Sequence, residues 1–213
     1  MAKIKLFSGL DFSGKSTIAG LFHETYKDKT ILRHKFISDE PEVLAFKSDW
    51  RAKGHNQVWY GNVEDYKPIL DWIIGIYEKD ISNFSCHDKI VICDSIWLFK
   101  LLSGAIDMGG FSEEYIERVK DVLRKLPDMD SYYITAPHEE KEKRAHKRAL
   151  AQELTPADRS VLDNPVSYKN RERIYRELVF DRFPDTRVLD SGEMSPKEML
   201  DVLQADAKFM EGL

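Results

Sequence analysis

Nine residues near the amino terminus carry the densest chemical signal in the chain. In Gly9-Leu10-Asp11-Phe12-Ser13-Gly14-Lys15-Ser16-Thr17, two glycines frame a short loop, and a lysine and a hydroxyl follow at once. Glycines let a backbone wrap round an anion so that successive N–H groups point inward. A helix starting at that point adds a favourable dipole. A lysine at its first turn can reach the outer phosphates of a nucleoside triphosphate, and the next hydroxyl can ligate magnesium. The loop therefore predicts ATP bound by Gly9, Asp11, Ser13, Gly14, Lys15, Ser16 and Thr17. Lys15 is also the candidate catalytic cation, and Ser16 a metal ligand.

A second carboxylate and a set of arginines complete the constellation. Asp94 ends the apolar run Ile90-Val91-Ile92-Cys93, the position from which a carboxylate orients magnesium, directly or through water. Residues 138–148 read His-Glu-Glu-Lys-Glu-Lys-Arg-Ala-His-Lys-Arg, with Arg144 and Arg148 one helical turn apart and Arg159 following. Arginines on a mobile segment can close over a phosphoryl donor and neutralise charge on the transferring group. Lys141, Lys143 and Lys147 read instead as a solvated face of Glu–Lys pairs. Trp50, Trp59, Tyr60, Trp72 and Trp97 could stack on a base or fill core and groove. No Asn-Lys-x-Asp guanine signature is present.

These residues need strands and helices to position them, and the chain alternates the two. Ile4–Ser8, Thr30–Ile37, Lys89–Cys93, Ser131–Thr135 and Arg187–Leu189 read as strands. Helices are predicted over Gly14–Tyr26, Tyr66–Phe84, Trp97–Leu102, Ser112–Leu126 (capped by Ser112) and Pro137–Glu153. An irregular piece, Leu154–Pro165, leads to a further helix through Tyr175, and Ser195-Pro196 opens the last one. Residues 42–63 read as a short helix and a loop. Such alternation predicts a three-layer α/β fold with a five-stranded parallel sheet and ligands beyond its carboxyl edge.

The 213 residues suit a single domain, and 42% hydrophobic content supports a packed core. A net charge of −5 argues against a general nucleic-acid coat and leaves room for a local basic pocket for phosphate. Cys86 and Cys93 make neither a disulfide framework nor a zinc set. No stretch reads as a signal peptide or a membrane span, so a cytoplasmic protein with no membrane partner is expected.

The phosphate loop, with its aspartate two residues after the first glycine, resembles that of thymidylate kinases. The resemblance runs over nearly the whole chain. It takes in Glu40-Pro41 after the second strand, Asp94 at the third strand end, Pro137 leading into an arginine-bearing segment, and Asp190-Ser191-Gly192 after the last strand. It implies a P-loop kinase fold over residues 1–213 with a helical lid at about 137–165, and a helix-packed homodimer. It also implies that Asp11 faces the acceptor sugar, that Arg144 lies near the adenine, and that Arg148 acts on the transferring phosphoryl. Some members of that family place their catalytic arginine inside the loop, where this chain has Phe12. The arginines that normally grip an acceptor phosphate are replaced here. Ser95 follows Asp94, Asp39-Glu40-Pro41-Glu42 stands for Arg-Glu-Pro-Gly, and Ile69–Ile76 holds Trp72 but no arginine. Deoxynucleoside kinases also carry Glu-Pro here, with the glutamate as base toward a sugar hydroxyl, a role that would make Glu40 catalytic.

The expected activity is transfer of the ATP γ-phosphoryl, with magnesium, to a nucleotide or nucleoside. Two alternatives stand beside it. One is a kinase for a hydroxyl on a nucleoside or on a modified base in DNA. The other is a P-loop regulatory or binding protein without a small acceptor.

Overall fold

Strand β1 (Ile4–Ser8) is buried along its whole length and lies at the centre of the sheet. In the computed structural model, residues 3–34, 41, 45, 63–80, 88–151 and 156–213 are described. The other strands are β2 (Thr30–His34), β3 (Ile90–Asp94), β4 (Asp130–Thr135) and β5 (Arg187–Asp190). The order across the sheet is β2-β3-β1-β4-β5, and every pairing is parallel. The chain therefore leaves β1 with neighbours on opposite sides, which makes its carboxyl end the switch point where ligands of such sheets bind.

Side chains alternate across the strands and build two cores. Phe7, Ile92, Tyr132, Ile134 and Leu189 point to one face, against Ile18 and Phe22 of α1 (Lys15–Thr25), Met199 and Leu203 of α8 (Pro196–Ala205) and Phe209 of the short α9 (Ala207–Met210). Leu6, Val91, Cys93 and Tyr133 point to the other face. That face is covered by α2 (Val63–Asp80), α3 (Trp97–Met108), α4 (Glu113–Arg124), α5 (His138–Ala151), α6 (Pro156–Asp163) and α7 (Pro165–Arg182). The result is the expected three-layer α/β arrangement. The Cys93 thiol is free and fully buried, and burial pushes its pKa well up. Cys86 lies outside the described residues.

Several boundaries differ from the sequence expectation. Helix α3 runs on to Met108 rather than stopping at Leu102, and Gly104 within it is a packing site. A Cβ there would lie 2.5 Å from the Tyr66 hydroxyl, which donates to Leu101 O at 2.7 Å. The irregular piece after α5 contains α6, and α7 extends past Tyr175 to Arg182. Ser112 caps α4 by accepting from Tyr115 N at 3.2 Å, and Ser195 forms a capping box with Glu198, both as the sequence suggests.

Candidate functional site

Between β1 and α1 the chain adopts backbone conformations that suit a phosphate cradle. Gly9 has φ 141°, and a Cβ there would sit 2.3 Å from Ile134 O, so a side chain is excluded. Gly14 has φ 90° and stands at the amino end of α1 without a side-chain cap. That leaves the first N–H groups of the helix for an external acceptor. Ser16 and Thr17 are exposed, and Lys15 is half-buried with no hydrogen bond or ion pair among the described residues. Ser13 is fully buried, and its Oγ lacks a partner in the loop. A polar, open cradle with a lone ammonium beside it fits a polyphosphate.

The rear of the same loop is tied down from three elements. Tyr175 Oη, on α7, accepts from Gly9 N at 3.4 Å, and Tyr168 Oη, one face-repeat earlier, donates to Asp11 O at 2.6 Å. Burial, followed by the nearby Glu172 and Asp11 carboxylates, pushes the Tyr168 pKa well up; burial does the same for Tyr175. Both hydroxyls are therefore neutral at physiological pH. Ser191 Oγ, just after β5, donates to Ser13 O at 2.6 Å. Arg144 Nη1 donates to Phe12 O at 3.0 Å and to Ser191 Oγ at 2.8 Å, while Nη2 donates to Ser191 O at 2.7 Å. Its Nε pairs with Glu140 at 3.0 Å on the same helix.

Asp94 is buried beside the loop, because the β1–β3 register sets it opposite Phe7. Ser95 follows with φ 68°, a left-handed conformation uncommon outside glycine, and its N–H donates to Phe7 O at 2.9 Å. This turn carries the chain into α3, where Lys100 Nζ reaches Asp11 Oδ2 at 2.5 Å. Lys100 was not singled out from the sequence; its only signal was one charge inside the apolar run Leu98-Phe99-Lys100-Leu101-Leu102. On α5, the Arg148 guanidinium lies over the Phe12 ring, 4.6 Å from its centroid. Arg159 is exposed on α6.

The structure thus brings together the loop, Asp94, Arg144 and Arg148, one sequence expectation is corrected, and two that were left open are decided. Lys141 is not on a solvated face: it is 1% exposed, paired with Glu172, with its ammonium 5.7 Å from the Tyr168 ring centroid. Desolvation outweighs Glu172 and lowers its pKa. Trp97 is core, and its N–H donates to Tyr77 Oη at 3.0 Å. Trp72 packs partly buried against that core. Glu40, Trp50, Trp59 and Tyr60 lie outside the described residues. No group of three or more His, Cys, Asp or Glu that could hold a metal occurs among the described residues, and no described helix is long and apolar enough to cross a membrane.

No protein-family model matches the chain, and no curated protein does. Solved structures do. The thymidylate kinase of Ehrlichia chaffeensis superposes with a TM-score of 0.58 at 15% identity, covering 95% of this chain and 98% of that one. The thymidylate kinase of Candida albicans superposes with a TM-score of 0.60 at 12% identity, covering 98% and 93%. Likeness at such identities concerns the fold, which is that of thymidylate kinase-like P-loop kinases.

Proposed function

We propose that this chain is an ATP- and magnesium-dependent phosphotransferase acting on a nucleotide or nucleoside. The observation that carries the reading is the phosphate loop itself: Lys15 unengaged and Ser16 exposed at an uncapped helix start, beside the buried Asp94. In this reading residues 1–213 form one domain, with a lid at about 137–165. Gly9, Ser13, Gly14 and Thr17 line the phosphates, and Lys15 neutralises charge on the outer ones. Ser16 and Asp94 would hold magnesium together with the phosphate oxygens. Bound there, the ion would neutralise charge on the phosphates. Arg148 acts on the transferring group from the lid, and Arg144 holds the loop in register on the adenine side.

One observation favours the hydroxyl acceptor as a second reading. Ser95 carries no charge, and Lys100, the cation that reaches Asp11, is already paired with that carboxylate. Neither of these two positions then offers a dianionic acceptor phosphate an uncommitted cation. A hydroxyl acceptor needs only a base, the role assigned to Glu40.

The test is ADP release with ATP and magnesium, screened over nucleosides, nucleoside monophosphates and oligonucleotides, with the phosphorylated product identified. Release that depends on a nucleotide or nucleoside supports the main reading. Phosphorylation confined to a hydroxyl, on a nucleoside or in DNA, supports the second. ATP binding with no acceptor-dependent release contradicts both and leaves a binding or regulatory protein.

A further inference from the structure

Both lid arginines touch Phe12, in the phosphate loop. It is a non-glycine residue at φ 62°, and such outliers persist where the surroundings over-determine them. Two residues of α5, one turn apart, hold it from the same side. Arg144 takes its carbonyl at 3.0 Å, and Arg148 lays its guanidinium over its ring at 4.6 Å. Arg144 is also bonded to Ser191, and Glu140 on its own helix orients it, so the bonds to Ser191 and Phe12 pin the helix at this turn. Phe12 is 8% exposed and belongs to the larger of the two cores. It is therefore a platform anchored in the core.

We propose that Phe12 is the positioning residue that sets the lid arginines in register with the phosphate loop, its ring holding the Arg148 guanidinium in place for the transferring phosphoryl. This rests on the phosphotransferase reading. The geometry supports the role in two ways. A guanidinium on a long side chain has many rotamers, and a flat face beneath it selects those parallel to the ring. The carbonyl contact of Arg144 fixes the height of the helix at that same residue, so loop and lid share one reference point. A ring that only filled the core would not need the Arg148 contact.

The test combines Phe12→Leu, which keeps bulk and removes the π face, with Phe12→Tyr, which keeps the face. Both are made in the wild type and in Arg148→Ala, and all variants are checked by thermal melting. Phe12→Met replaces the leucine variant if that one melts below assay temperature. With the acceptor found by the screen, Phe12→Leu lowers kcat by roughly three- to thirtyfold, the range of a desolvated cation–π contact. KM for ATP changes less than about twofold, and Phe12→Tyr recovers most of the loss. In the Arg148→Ala background, Phe12→Leu has no further effect, because the two residues act as a unit. Losses that multiply in that background, or a lowered melting temperature with kcat intact, reduce Phe12 to core filling and overturn the proposal.

A second readout needs no turnover. The Arg148 Nε–H resonance in the nucleotide-free protein is shifted by the ring current in the wild type and returns to an ordinary position in Phe12→Leu. If the wild type transfers no phosphoryl group, the functional reading fails alone, and this resonance decides the contact. An unshifted wild-type resonance overturns the proposal.

Discussion

The front and the rear of the phosphate loop are built on opposite principles. At the rear, Tyr175, Tyr168, Ser191 and Arg144 each hold a backbone atom of Gly9, Asp11, Ser13 or Phe12, so main-chain groups facing the protein are partnered from α7, α5 and the β5 end. At the front, Lys15 is unpaired among the described residues, and Ser16 and Thr17 face solvent. Lysines make the same contrast. Lys5 and Lys141 are buried, paired and depressed in pKa, while Lys15 has no partner among the described residues. A rigid back and an open front are what preorganised charge stabilisation requires, since a cradle that must rearrange during reaction loses its advantage.

Removing the front should give the largest effect. Lys15→Ala is expected to lower turnover by at least about 10²–10³-fold, the scale of losing one preorganised charge, with the melting temperature unchanged. A folded variant with near-normal turnover would break the comparison at its first point. Arg148→Ala comes next, with kcat falling by roughly ten- to a hundredfold and the apparent ATP requirement rising far less. If only the ATP requirement changes, Arg148 is a binding residue, and Arg144 or Arg159 takes the catalytic role.

Rear substitutions should act on stability first. Gly9→Ala forces a Cβ against Ile134 O and is expected to cost about 1–3 kcal/mol in denaturant unfolding. Tyr168→Phe, which loses the bond to Asp11 O, should cost about 1 kcal/mol and leave ATP binding nearly intact. It also has a pH signature. Tyr168 is raised above 10.0 in the folded chain, so the native state keeps its proton where the unfolded chain has lost it. Its contribution is full below pH 10.0 and is lost as pH climbs above that value. Unfolding curves at rising alkaline pH should therefore fall less steeply for Tyr168→Phe than for the wild type. Equal slopes would show that this hydroxyl is not held neutral by the fold.

The front was more legible in the sequence than the rear. Gly9 and Gly14 at fixed spacing, followed by Lys15 and Ser16, form a local pattern whose physics needs no distant partner. The strands were legible because a buried parallel strand is a short apolar run, as Ile90–Cys93 is. The rear depends on contacts between residues far apart in the chain: Tyr168 and Tyr175 with the loop, Ser191 with Ser13, Lys100 with Asp11. None has a spacing signature. Ser191 lay in a noted Asp-Ser-Gly turn, but the turn alone did not reveal its bond to the loop. Helix α6 was missed because its short polar run lies inside the piece Leu154–Pro165, which reads as irregular, whereas Pro156 and Pro165 each open a helix. Lys141 was misread because Glu–Lys spacing on α5 looks solvated, while the burying partner, Glu172, lies on α7.

The most direct test of the account is transfer of label from γ-labelled ATP, with magnesium, by wild type and Lys15→Ala side by side, each with the full acceptor panel. The account predicts label in a nucleotide or nucleoside product for the wild type, and none above background for the variant at matched folding. Label appearing only as inorganic phosphate, or equal transfer by both proteins, would contradict it.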